Sequence, residues 1–345
     1  MFSPAKFVLS KTALMKQYNM VEDMCDQVSY SAKTNYEVGK VLEEVTDCFF
    51  SIHTLESLHK IEDKKRVWFL AQAWDEKELD VLFREKVENF IVDNEKDLKI
   101  FLDCIKDKKV KVNLLLRIRL EEHTIHTGKY FVFGMYSDQI NRIMPELREN
   151  KNIAKLGLHF HRKTQNISEW SLKYELENLI SKDVLEKIDY VNMGGGIPVK
   201  YKNFRAEVLD NVFSEIKKFR EWLKQYNIKL VIEVGRYIAA PCIKLHATIK
   251  NVYDNNIILN CSVYNTSMDT FIVHNKLEVE DELPDGEGKP YCIKGQTPCS
   301  MDIFRYRIFL KDPKIGDNKV FSNAGAYNFS SDFCNLSKLK TEIED

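Results

Sequence analysis

Short apolar runs alternate with longer stretches of helical spacing up to about residue 238. The runs of strand length fall at 28–32, 48–52, 67–71, 90–92, 112–118, 156–160, 190–193 and 230–233. Most of the gaps between them carry apolar residues three or four apart, as at 36–44, 76–83, 95–105, 138–147 and 208–226. That spacing lays one face of a helix against a core. Eight strands alternating with helices predict a closed parallel (β/α)8 barrel of the TIM type, since helical crossovers join parallel neighbours. An open doubly wound sheet is the alternative, but its G-x-G-x-x-G fingerprint after the first strand is absent.

Beyond residue 238 the pattern changes to strands at 246–252, 257–263, 271–273, 291–293, 306–310 and 319–322. The loops between them carry Pro, Gly, Asn and Asp, as in Leu283-Pro284-Asp285-Gly286-Glu287-Gly288. This predicts a C-terminal, mostly antiparallel β domain of roughly 100 residues, a common domain size. The expected division is a barrel over 11–240 and a β domain over 241–345, with the strand at 6–10 open to either.

Composition narrows the class. A chain of 345 residues suits a large barrel plus a second domain. The 44% hydrophobic and 30% charged content is that of a soluble globular protein. A net charge of -1 gives no electrostatic reason to expect nucleic acid or an anionic membrane as partner. The lysines at 106–109 are mixed with an acid and read as a solvated face. No apolar run approaches the roughly 20 residues that span a bilayer. The N-terminus lacks the basic and apolar segments of a signal peptide. The eight cysteines are scattered without C-x-x-C spacing, which argues against structural zinc or a disulfide scaffold. The expectation is a cytoplasmic protein with reduced thiols and no metal site.

Candidate chemistry gathers at the ends of the predicted strands. Lys33 follows the first barrel strand, at the end where barrel enzymes carry reactive groups. Half-buried there, it would suit Schiff-base chemistry; a surface lysine capping a strand is the alternative. Gly194-Gly195-Gly196 follows the seventh strand, and backbone N–H groups without side chains can approach a phosphate. Glu233 ends the eighth strand, with Gly235 and Arg236 just beyond. A carboxylate there could hold a pyridine nitrogen protonated, and the arginine could bind phosphate; a structural Glu–Arg ion pair is the alternative. His159 and His161 close the sixth strand two residues apart, on one face, with no third metal ligand at convincing spacing. The loop 295–302 carries Cys299, Ser300 and Asp302, and Gly325-Ala326-Tyr327 presents a phenol from a tight turn. A lysine, a glycine loop and a carboxylate beside an arginine are the parts needed to hold pyridoxal 5'-phosphate (PLP).

In this order, the residues resemble the fold-type III PLP-dependent decarboxylases of ornithine, diaminopimelate and arginine, which are related to alanine racemase. Tyr30-Ser31-Ala32-Lys33-Thr34-Asn35 is similar to the family's Y-A-x-K-A-N motif, which makes Lys33 the implied Schiff-base lysine. The resemblance assigns His161 to stacking on the ring and Thr164, Gly194, Gly195 and Gly196 to the phosphate. Glu233, Gly235 and Arg236 match its E-P-G-R segment with Val234 replacing the proline, and Tyr327 matches a phosphate-contacting G-A-Y. It further implies a homodimer with shared active sites, in which the loop 295–302 reaches the neighbouring barrel. Cys299 is then the implied proton donor to Cα, with Lys33 as backup.

The departures bear on the substrate. Counted without gaps, Pro298 falls at the family's thiol and Cys299 at the adjoining acid. A one-residue adjustment restores the thiol and still removes the acid. A second acid used by ornithine decarboxylases falls at Cys261, leaving Asp269, Asp302 and Asp332 as candidates to grip a distal amine from shifted positions. The expectation is decarboxylation of a basic or modified, amine-bearing amino acid other than ornithine. A racemase or epimerase, or a non-catalytic regulator, is the alternative. Glu233 argues against the racemase, because a strong electron sink suits loss of CO2.

Overall fold

The computed structural model describes residues 2–120, 133–204 and 207–345. They form two compact units, one of residues 19–120, 133–198 and 207–234, the other of residues 2–18, 199–204 and 235–345.

Strand β1 is Lys6–Ser10. The first unit is built on β2 (Gln27–Ser31), β3 (Phe49–Ile52), β4 (Val67–Leu70), β5 (Asn89–Val92), β6 (Val112–Arg117), β7 (Ile153–His159), β8 (Tyr190–Asn192) and β9 (Lys229–Val234). Each pairs in parallel with the next, and β9 closes onto β2, giving the predicted eight-stranded barrel. Polar side chains start several of the intervening helices. Asn35 accepts from the N–H groups of Glu37 and Val38, Asp75 from Glu78, and Asn94 from Asp97. These bonds satisfy first-turn donors that have no partner within the helix.

The period-two alternation of the strands divides the barrel interior into levels. At one level Trp68, Ile91 and Leu115 are buried against Phe49, Leu70 and Tyr190. Trp68 meets Tyr190 edge to face at 6.1 Å. Gly157 lies at this level because a Cβ there would stand 2.2 Å from the Tyr190 carbonyl oxygen and 2.7 Å from a Leu115 methyl. Toward the C-terminal ends of the strands the chemistry reverses: Ser51, Asp93, His159, Asn192 and Glu233 are buried polar residues, joined by the half-buried Arg117. Parallel strands bring their C-terminal ends to one mouth, so this polar level underlies the loops that carry Lys33, His161 and Gly194–196.

The second unit contains β1 with β10 (Ile243–Tyr253), β11 (Asn256–Leu259), β12 (Glu278–Val279), β13 (Lys289–Lys294), β14 (Ile303–Leu310), β15 (Asn318–Ser322) and β16 (Lys340–Glu344). The sheet runs β12-β15-β10-β11-β13-β14, with β1 antiparallel to β10 and parallel to β16. Most pairs are antiparallel, and β11 with β13 is a parallel exception. The strand expected at 271–273 is instead a helical turn, Asp269–Ile272. Local bonds outweigh the short β-branched run there: Thr270 donates to the Ser267 carbonyl, and Asp269 is held through its side chain. The strand expected to run to 263 stops at Leu259, and Ser262 caps a 3-10 turn over Val263–Asn265. Among the described residues no helix is long and apolar enough to cross a membrane.

Candidate active site

β2 ends at Ser31, and Lys33 lies in the 3-10 turn Ala32–Thr34 that follows. It is exposed rather than half-buried as the sequence suggested, because the strand stops two residues before it. The surrounding turn is fixed: Ala32 and Thr34 are buried, and Asn35 caps the next helix. The adjacent strand places His53 at the matching position. Ser31 pairs with Ser51, so Lys33 and His53 both stand two residues beyond a matched pair. The His53 Nδ1 bonds the Leu70 carbonyl at 3.1 Å, while its Nε2 is buried without a partner. Burial pushes this imidazole down to about 4, with Lys33 adding to the effect and Glu233 opposing it.

The three glycines form a cradle that admits no side chains. A Cβ on Gly194, at φ +66°, would lie 2.4 Å from the Phe160 carbonyl oxygen. On Gly195 it would lie 2.7 Å from the Glu233 carbonyl oxygen, and on Gly196, at φ +102°, 2.9 Å from that of Lys163. The Gly195 N–H donates to His161 Nδ1 at 3.1 Å, which leaves the imidazole proton at Nε2. His161 opens to solvent within this crowded mouth; desolvation lowers its pKa, Glu233 opposes that, and Lys33 reinforces it. Thr164 is exposed in the same loop.

Glu233 ends β9 and is buried, with its Oε2 2.9 Å from His159 Nε2. Burial, the largest single effect, would raise the carboxyl, but the His159 hydrogen bond together with the attraction of the His159, His161 and His53 rings holds the group well below the usual carboxylate range. Arg117 reaches Asp93 at 3.4 Å on the same polar level. This level was only partly anticipated. The sequence marks Glu233, and His159 only as one of two strand-end histidines on one face, while His53, Asp93 and Arg117 carry no motif. The available signal was parity: each lies an even number of residues along its strand from an inward apolar position.

In the second unit, Gly235 precedes the helix Arg236–Cys242, whose first residue is a buried arginine. Arg236 donates from Nη1 at 2.5 Å and Nη2 at 3.0 Å to the two carboxylate oxygens of Asp269, and from Nη1 to the Tyr201 hydroxyl at 3.1 Å. Its guanidinium lies 5.1 Å from the centre of the Tyr327 ring. Tyr327 takes φ +52°, and Gly325 is required because a Cβ would come within 1.9 Å of the Ala239 carbonyl oxygen.

The residues expected to grip a distal amine are differently placed. Cys261 is fully buried, and burial pushes its thiol above the usual range. Asp302 is buried and accepts from Val263 N–H, Thr297 N–H and the Thr297 hydroxyl. Asp269 is held by Arg236 and also accepts from Asn275. Asp332 is exposed. The partly exposed Cys299 sits 3.1 Å from the Tyr264 hydroxyl, and that hydrogen bond lowers its thiol pKa. No cluster of three or more metal-ligating side chains occurs among the described residues.

The model of the pyridoxal-dependent decarboxylase pyridoxal-binding domain matches residues 51–240, more than half of the chain. The chain belongs to the pyridoxal-dependent decarboxylase family. The matched stretch includes His161, Thr164, the glycine cradle, Glu233 and Arg236, while Lys33, Cys299 and Tyr327 lie outside it. The 2-[(L-alanin-3-ylcarbamoyl)methyl]-2-hydroxybutanedioate decarboxylase of Staphylococcus aureus is 23% identical over 339 residues, covering 88% of this chain and 83% of that protein. The diaminopimelate decarboxylase of Bacillus subtilis is 22% identical, covering 77% of this chain and 66% of that enzyme. In fold, the chain is similar to the lysine/ornithine decarboxylase of Vibrio vulnificus complexed with putrescine, with a TM-score of 0.81, 18% identity and coverage of 100% of this chain and 95% of that one. These relatives are amino-acid decarboxylases, which are carboxy-lyases, and PLP is the cofactor of the family.

Proposed function

We propose that this chain removes CO2 from the Cα of a basic or modified, amine-bearing amino acid, with Lys33 as the covalent anchor of PLP. The observation that supports this most is the barrel mouth, where one amine, one cradle closed to side chains and one buried ionised carboxylate are brought to strand ends. These residues fit the cofactor. The cradle suits a phosphate, and a carboxylate kept ionised by a neutral N–H suits a protonated ring nitrogen. When bound, PLP supplies an electron sink for the pair left behind at Cα.

In this reading Lys33 holds the aldehyde carbon, His161 stacks on the ring, and Glu233 keeps the ring nitrogen protonated. Gly194, Gly195, Gly196 and Thr164 bind phosphate in the barrel unit. Gly235, Arg236 and Tyr327 are assigned to phosphate by the resemblance, and Asp269 and Tyr201 hold the Arg236 fork in place. Cys299 returns a proton to Cα, with Lys33 as backup. A thiol whose pKa is lowered by its hydrogen bond with the Tyr264 hydroxyl gives up its proton more readily.

The substrate follows from what is already engaged. The carboxylates of Asp269 and Asp302 are taken by internal donors, and Cys261 is sealed. A small diamino acid such as ornithine would therefore find few partners for its distal ammonium, leaving Asp332 as the exposed acid of the set. A longer, modified amino acid relies less on such a contact. The printed name of the Staphylococcus aureus relative's substrate describes an alanine joined at its third carbon through an amide to a hydroxy-dicarboxylate. The protein works in this reading as a cytoplasmic homodimer with shared active sites.

The test is product analysis of the PLP-loaded protein against L- and D-amino acids, carboxylated polyamines and amide-extended amino acids. Release of CO2 with formation of the amine supports the proposal. Inversion or solvent-proton exchange at Cα without CO2 would replace it with a racemase, and rapid turnover of L-ornithine would overturn the substrate assignment.

A further inference from the structure

Glu233 is one half of a buried pair. Its Oε2 lies 2.9 Å from His159 Nε2, and the two side chains are 6% and 3% exposed. The other imidazole nitrogen, His159 Nδ1, is buried without a hydrogen-bond partner, as is the amide nitrogen of Asn192, its cross-strand neighbour. A neutral imidazole carries one proton, and a carboxylate only accepts; the proton therefore sits on Nε2 and Nδ1 bears a lone pair. The cross-strand neighbour on the other side is Arg117, a fixed cation paired with Asp93. A second proton on His159 would thus be a buried charge facing a guanidinium, with Glu233 and, more weakly, Asp93 to favour it. Desolvation accordingly lowers the His159 pKa against the pull of Glu233.

We infer that His159 is a positioning residue: a neutral donor that fixes one oxygen of Glu233 and leaves the carboxylate its full negative charge for the ring nitrogen. The neutrality matters. A lysine or arginine at this place would also orient Glu233, but its cation would offset the charge that holds a proton on the ring. The inference rests on the reading that Glu233 faces the ring nitrogen of PLP.

The test uses the PLP-loaded full chain with an isotope-labelled ring nitrogen, whose magnetic resonance shift reports its protonation, alongside PLP affinity and the rate of CO2 release. The variants are His159→Leu, His159→Gln and Glu233→Gln. His159→Leu should move the ring nitrogen toward its unprotonated shift and lower kcat by roughly tenfold to a hundredfold, the range for losing a hydrogen bond to a charged group. His159→Gln, whose amide N–H can reach the same oxygen, should restore the shift and most of kcat. Should the leucine variant not fold, His159→Asn, too short to reach Glu233, takes its place. An unmoved ring nitrogen in His159→Leu or its asparagine substitute, beside a moved one in Glu233→Gln, would overturn the inference alone. So would a glutamine variant as impaired as the leucine variant. An unmoved ring nitrogen in Glu233→Gln would overturn the reading of Glu233 and the inference with it.

Discussion

The barrel mouth and the second unit both bury polar side chains, and the histidines of the one are less fully engaged than the acids of the other. At the mouth, His53 Nε2, His159 Nδ1, Thr34 Oγ1 and Asn192 Nδ2 are buried without partners. In the second unit, the buried acids are saturated: Asp269 accepts from Arg236 and Asn275, and Asp302 from Val263 and Thr297. The mouth thus keeps donors and acceptors that the protein itself does not engage, while the acids of the second unit act as braces. That difference tells the saturated acids that brace the second unit from the polar level that stands beneath the reactive groups of the barrel, a distinction residue type alone does not make.

The sharpest break in the comparison is Lys33→Ala. It removes the proposed anchor and no buried contact, so CO2 release should fall by about a thousandfold or more while the denaturant midpoint stays near the parent's. Retained turnover would remove Lys33 from the chemistry. Next in size, Asp269→Ala strands the buried Arg236 cation; the expected loss is about 3–5 kcal/mol of unfolding free energy, measured in urea, together with weaker PLP binding. Asp302→Ala should cost about 2–4 kcal/mol by orphaning three donors, whereas Asp332→Ala, at an exposed position, should stay within about 0.5 kcal/mol. A substrate role for Asp332 would instead show as a raised KM with stability unchanged.

The smallest effect is in pH. In the PLP-free protein the folded state favours neutral His53, whose pKa falls from 6.5 to about 4, so the unfolded chain binds the extra proton between those values. Stability should therefore rise with pH from about 4 to 6.5 and level off above. His53→Gln should reduce that rise by the His53 share and leave the part due to the likewise lowered His159 and His161. Glu233 acts in the same direction at lower pH: its contribution is present above the unfolded carboxylate value and is lost as pH falls through the depressed folded one. Urea titrations at stepped pH read both.

Much of the fold was legible because it depends on local pattern. The eight apolar runs became eight barrel strands, and the three glycines mark a loop where backbone approaches backbone. Lys33 was legible as a residue but not in its exposure, which depends on β2 ending at Ser31. The turn at Asp269–Ile272 was missed because a partner 33 positions away, Arg236, fixes it. β16, Lys340–Glu344, was missed because its charged residues show no apolar face, and it is paired at the edge by β1, more than 300 residues earlier. The His159–Glu233 bond joins strands 74 positions apart, and no sequence period reports a contact across a barrel.

The measurement closest to the central claim is to reduce the PLP-loaded protein with borohydride, digest it and locate the pyridoxyl group by mass spectrometry. A single modified residue, Lys33, is expected, with the label lost from Lys33→Ala. A label carried by another lysine, or by none, would contradict it.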